Sequence, residues 1–136
     1  MRKKYIVIAA IIWILLVLAG LYFYNKPHRS AASLDPDIRV EAVDLYGQFQ
    51  INESIANKKF MDKIIEVKGK VADIQQSGNT TSIQLDGGLP GGGINCSLSG
   101  SVSNSSLPAK GALVAIKGRC SGFLMDVNLV DCVIEH

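Results

Sequence analysis

Between Val71 and Ala109 the chain contains no lysine, no arginine and no aromatic residue, and its only charges there are Asp73 and Asp86. A surface that grips single-stranded nucleic acid combines cations for the phosphates with rings for the bases, and this stretch offers neither. Histidine is confined to His28 and His136, and no Cys-x-x-Cys occurs. The usual transition-metal ligand sets are therefore missing. No Gly-x-Ser-x-Gly is present, and neither histidine is placed to serve a nucleophile as base. Gly88 and Gly93 have the gap of a phosphate-binding loop, but Ile94 and Asn95 stand where that loop needs lysine and a hydroxyl residue. These absences predict no catalytic residue, no metal site and no cofactor, hence a protein that binds and is not an enzyme.

One long apolar run is present. Tyr5 to Tyr24 is twenty residues without a charge or a strongly polar side chain. About 20 such residues cross a bilayer core of roughly 30 Å as a helix. Tyr5 at one end and Tyr22, Phe23 and Tyr24 at the other match the aromatic belts of membrane interfaces. A cleaved signal peptide is the alternative, but its apolar stretch usually runs about 7–15 residues. Ser30-Ala31-Ala32, which could be cleaved, lies well beyond the run, and no cysteine near its end marks a lipid attachment. Arg2, Lys3 and Lys4 precede the run, while Lys26 and Arg29 follow it. The excess on the N-terminal side predicts a cytoplasmic N-terminus and an exported C-terminal domain, in a single-pass membrane protein.

The flanks also distort the bulk charge. The chain has 14 basic and 12 acidic residues, and residues 1–29 hold five of the basic ones and no acid. Nine basic residues then face 12 acids in residues 30–136, a net charge of −3. The domain as a whole lacks the basic footprint of a nucleic-acid binder.

The expected organisation is a stub (1–4), a membrane helix (5–24), a polar linker (25–34) and one domain (35–136). Asp35-Pro36-Asp37 reads as the start of an amphipathic helix, with Asp35 as N-cap and Pro36 at the first helical position. Ile38, Ala42, Leu45 and Phe49 form its apolar stripe. A second helical stretch over Asn52 to Asn57 continues or kinks it. From residue 63 the period changes to two. Strands are expected over about 64–75, around Thr81–Leu85, over Ile94–Leu98, Ala112–Cys120 and Val127–Ile134. Gly69 and the disturbed alternation at Ala72-Asp73 predict a bend or bulge in the first. Asp86 to Gly93 reads as a flexible loop and residues 99–110 as a serine-rich connector. Five short strands with a long bent first one give a mainly β fold: a five-stranded OB barrel preceded by an amphipathic helix and a membrane helix.

The motifs carry a resemblance. Asp44-Leu45-Tyr46, Asn52-Glu53, Ala56-Asn57-Lys58-Lys59-Phe60, Glu66-Val67-Lys68-Gly69-Lys70-Val71 and Ile83-Gln84-Leu85-Asp86 are joined by Cys96, Lys117-Gly118-Arg119-Cys120-Ser121-Gly122, Asp126-Val127 and Leu129-Val130-Asp131-Cys132-Val133-Ile134. Over roughly residues 40–135 the chain resembles the bacterial tRNA_anti-like family of OB-fold proteins. The resemblance implies kinship with anticodon-binding OB folds, hence nucleic acid as a partner, and no defined enzyme activity.

Two sets of residues are candidate sites. Lys68 and Lys70 alternate outward on the first strand, and Lys117 and Arg119 on the fourth. These strands neighbour each other in an OB barrel, so the four are the candidate phosphate-binding patch, diluted by nearby Asp62, Glu66 and Asp131. Cys120 and Cys132 lie on consecutive strands and are the candidate disulfide in an oxidising compartment, with Cys96 a buried thiol. The partners expected are the membrane, through the N-terminal helix, and an envelope protein, a glycan or a small polar ligand. A nucleic acid held by the four basic residues is the second reading.

Overall fold

The computed structural model describes residues 2–24 and 31–135, so the expected linker falls largely outside the described residues. Helix α1 (Arg2–Tyr24) is long and apolar enough to cross a membrane by length and composition. Among linker residues that are described, Ala31–Ser33 form a 3-10 turn that packs on the domain with Ala31 fully buried.

A short strand follows where the helix was expected to begin. β1 (Ile38–Glu41) runs parallel to β2 (Ile64–Ser77), in register Ile38↔Ile65 to Glu41↔Lys68. Ile38 and Val40 pack against the core while Arg39 and Glu41 point to solvent, a period of two hidden inside an apparent helical stripe. Asp35 does not cap a helix, because the first helix of the domain has Glu41 as its N-cap, and Asp37 serves the strand pair. Its carboxylate accepts from the Ile64 amide at 3.0 Å, and its own N–H donates to the Ile64 carbonyl at 2.7 Å. Helix α2 (Ala42–Ile51) begins only after this strand, and α3 (Glu53–Phe60) follows a break at Asn52. The Asn52 side chain caps α3 by accepting from the Ile55 amide at 3.1 Å.

β3 (Thr80–Leu89), β4 (Gly92–Leu98), β5 (Leu113–Phe123) and β6 (Val127–Glu135) complete the sheet. The order β1-β2-β3-β4-β6-β5, closed by β2–β5 pairing, gives a five-stranded barrel of β2–β6 with β1 as an added edge. The bulge expected near Ala72 is present as a register shift between Val71 and Asp73. It lets β2 turn from its β5 partner to its β3 partner, which is how one long strand serves both sides of the barrel. The connector 99–110 carries only the 3-10 turn Asn104–Ser106.

The stretch Asp86–Gly93 is not a flexible loop. Strand pairing continues through it to a tight turn at Pro90-Gly91. Its glycines serve a close approach by α2: a Cβ at Gly92 would lie 1.8 Å from the Tyr46 hydroxyl oxygen, and one at Gly87 2.8 Å from the Tyr46 ring. Helix α2 thus lies on the end of the barrel. Leu45 and Phe49 enter a core with Ile65, Val67, Ile83, Leu85, Ile94, Ile116 and Leu129, all essentially fully buried.

Candidate functional site

The four basic residues do share the outer face of the β2–β5 pair, but the register sets acids beside two of them, while Lys70 faces Leu113 and Arg119 lies between Ile64 and Val130. Arg39 stands beside Glu66, and Glu66 beside Lys117; Glu41 stands beside Lys68. Arg39 Nε reaches Glu66 Oε2 at 3.2 Å. Lys117 is buried and its Nζ meets Oε1 of the surface residue Glu135 at 2.7 Å, so its charge is matched by a neighbouring carboxylate. Lys68 and Lys70 are exposed and Arg119 half-buried. The face is a ladder of alternating charge, whose potential falls off faster than that of a single-sign patch. Sequence alternation located the face but could not reveal Glu135, contributed by the neighbouring strand β6, or the burial of Lys117.

The outer face over β3 and β4 has a different chemistry. Cross-strand register aligns Asp73, Gln84, Asn95 and Asn128 in one row over β2, β3, β4 and β6, and Gln75, Ser82 and Ser97 in a second. Successive side chains of a strand alternate between faces, and inward neighbours Ile83, Leu85, Ile94 and Cys96 are buried, so these polar groups point out. Asp73, Gln75, Ser82, Gln84 and Asn95 line a polar cavity of about 210 Å³ together with Asp126. Asn95 Nδ2 donates to Asn128 Oδ1 at 3.4 Å, and Asp126 accepts from the Gly93 amide at 2.8 Å. Lys110, at the end of the connector, reaches the edge of the row and is ion-paired to Asp73. Its hydrogen bond, with those from the Ile74 amide and Gln75, holds the Asp73 carboxyl below its ordinary value. Amides and hydroxyls both donate and accept, so this face matches uncharged hydrogen-bonding groups.

A larger groove of about 630 Å³ adjoins it, sharing Ser97 and Asn128 and bounded by α3 and the tip of the β5–β6 hairpin. Sequence reasoning missed both sites. The signal available was the run of Gln, Asn and Ser at the outward positions of β2, β3, β4 and β6.

The cysteines are free thiols, and all three are buried. Leu129 lies opposite Cys120, while Cys132 lies beside Leu98 of β4, so the strands do not oppose Cys120 to Cys132. Cys132 sits instead against Gly118, where an added Cβ would be 2.4 Å from its Sγ. A hydrogen bond with the Cys132 side chain, then burial, pushes the Cys96 thiol well up. Burial raises Cys120, reinforced by the charge of Asp62 and opposed by a backbone hydrogen bond from Gly122. Such thiols are neutral and unreactive at pH 7. An aqueous maleimide is expected to label none of them in the folded chain and all three in denaturant; fewer than three without reductant would reveal a disulfide. Both shifts are upward. Their stabilisation is therefore complete below the ordinary thiol value of 9.0 and declines as pH rises past it. A thermal midpoint that stays level between pH 9 and 10.5 would contradict this.

The closed barrel with helices at one end defines an OB-fold protein. The chain belongs to the tRNA_anti-like family, whose model matches residues 1–134. Among solved structures it is similar to a lipoprotein from Klebsiella pneumoniae subsp. pneumoniae MGH 78578, provisionally assigned as nucleic acid-binding, with a TM-score of 0.54 and 14% identity over 82% of this chain and 100% of that one. At that identity the likeness shows the fold. No curated protein matches the chain.

Proposed function

We propose that this protein is a non-catalytic OB-fold binding module, held at the membrane by α1 with its barrel on the exported side. Its ligand is uncharged and hydrogen-bonding, and it lies across the outer face of β3 and β4. The observation that carries this reading is the row Asp73, Gln84, Asn95 and Asn128 with its companion Gln75, Ser82 and Ser97. OB folds present this part of the barrel to oligonucleotides and oligosaccharides. Here the amides and hydroxyls fit sugar hydroxyls, and the carboxylates Asp73 and Asp126 oppose phosphates. A glycan of the cell envelope is the partner that suits both this chemistry and the exported side.

The second reading is a nucleic-acid module using exposed Lys68 and Lys70 with Arg119 and Lys117. The provisional assignment of the Klebsiella lipoprotein favours it. Titration of the full chain in lipid nanodiscs with single-stranded DNA and RNA separates the two. Phosphate contacts make affinity fall steeply between about 50 and 200 mM salt. The glycan reading expects no binding at either salt; salt-sensitive micromolar binding abolished by Lys68→Glu with Lys70→Glu would replace it. The location has its own check. A C-terminal alkaline phosphatase fusion is expected to be active and a cytoplasm-dependent reporter silent; the reverse would put the barrel in the cytoplasm.

A further inference from the structure

We propose that the helix-covered end of the barrel docks on the lipid bilayer through the tips of two hairpins, an inference that rests on the membrane reading of α1. Outside α1, exposed large apolar side chains gather at that end. Leu124 and Met125, at the β5–β6 tip, are 86% and 77% exposed, and Leu89 stands exposed at the neighbouring β3–β4 tip. The two tips are tied together, since the Gly93 amide donates to the Asp126 carboxylate. Val43, close over Gly88, and Ile51 and Ile55 on the two helices extend the set. At the opposite end, Ser77-Gly78-Asn79 and the serine-rich connector are polar, with Leu113 the exposed large apolar residue among those described. Single exposed apolar residues are ordinary, whereas a cluster of them marks a contact surface.

The β5–β6 tip is built to enter a medium without water, where a free backbone group finds no partner. The Leu124 N–H donates to the Asp126 carbonyl at 3.2 Å, and the Met125 carbonyl accepts from the Tyr46 hydroxyl at 3.4 Å. The Asp126 carboxylate is drawn back to the Gly93 amide at 2.8 Å, so the side chains of Leu124 and Met125 lead. The tether supplies the bilayer. Helix α1 ends at Tyr24, and Ala31 is already seated on β5 and β6. Residues 25–30 join the two and reach at most about 25 Å fully extended, less than the ~30 Å diameter of a small domain. The barrel is therefore held against the bilayer surface, and this end is the one whose apolar groups gain by meeting it. Asp44 and Glu53 on the helices offset Lys58 and Lys59, so the attraction is apolar and not a pull toward anionic lipid.

The test puts a polarity-sensitive fluorophore on an introduced cysteine of the full chain, in phosphatidylcholine nanodiscs that contain a nitroxide-labelled phosphatidylcholine. The native thiols are buried, so labelling of the folded chain is confined to the introduced site. Leu124→Cys is expected to give a blue-shifted probe that the nitroxide quenches. Asn79→Cys, at the far tip, is expected to give neither effect. A probe at Leu89→Cys is expected to be quenched as well, and to lose that quenching when Leu124→Asp and Met125→Asp are added. All these positions are exposed, so the core is left intact. Equal quenching at positions 79 and 124, or quenching at 79 alone, overturns the docking. So does quenching at position 89 that survives the two aspartates. A blue shift at 124 without quenching means that a second chain or another protein covers the tip, and overturns it too. No shift and no quenching at 124, in chains that co-elute with the discs, removes the docking and leaves the anchor standing. Chains that elute apart from the discs remove both.

Discussion

Phe49→Ala is expected to lower the unfolding free energy of the domain by about 3–5 kcal/mol, the usual cost of emptying a buried aromatic site. Phe49 is the residue by which α2 holds the barrel. It is 1% exposed, stacks on Phe123 at 5.4 Å and packs against Phe60 at 5.9 Å. Its loss opens a cavity between the helices and the barrel end and frees the Phe123 ring. The domain has few other aromatics to absorb the space, since Tyr46, Phe60 and Phe123 already make up the rest of the set. Denaturant unfolding followed by far-UV circular dichroism checks the prediction. A loss below about 1 kcal/mol, the level of a tolerated surface change, would mean that α2 is not anchored through this ring.

Gly93→Ala is expected to cost about 3 kcal/mol or more, at the upper end for forced overpacking. The position shows why no repacking helps. A Cβ there would lie 2.1 Å from the Leu85 carbonyl oxygen and 3.4 Å from the Gly87 amide nitrogen, both backbone atoms of the paired strand β3. Backbone cannot step aside as a side-chain end can, so the β3–β4 pairing itself must open. That pairing carries Gln84 opposite Asn95, and the Gly93 amide donates to Asp126. The substitution should therefore disturb the polar face as well as the stability. Gly100→Ala is the control. Nothing lies within 4 Å of its added Cβ, and only its φ of +76° opposes alanine. A strained φ of that kind costs about 1–3 kcal/mol. Equal losses at the two positions would contradict the close-packing explanation.

The two periods of the sequence made most of the fold legible. The five barrel strands, the bulge after Val71 and the helix-capable segments all follow from where apolar residues recur. What stayed hidden depends on contacts between distant segments. Ile38 and Val40 sit at positions that suit both a helix stripe and a strand, and only pairing with Ile65 and Val67 decides for the strand. Asp86–Gly93 carries loop composition, yet its glycines exist for the Tyr46 ring that packs across them. Lys117 alternates outward as a solvated lysine would, and its partner Glu135 is supplied by the next strand. The polar face showed in the sequence as an absence of cations between Val71 and Ala109 and as Gln, Asn and Ser at outward strand positions. Its content emerged once the register set Gln84 beside Asn95 and Asn95 beside Asn128.

The central claim, that ligand lies on the outer face of β3 and β4 and not on the β2–β5 charge ladder, is tested most directly by mapping where a ligand touches. Amide and side-chain NH₂ resonances of the full chain in nanodiscs would be followed during titration with a neutral oligosaccharide. The account predicts that Gln84, Asn95, Ser97 and Asn128 shift while Lys68, Lys70 and Arg119 stay still. Shifts confined to the charge ladder, or appearing only when the oligosaccharide is replaced by single-stranded RNA, would contradict it.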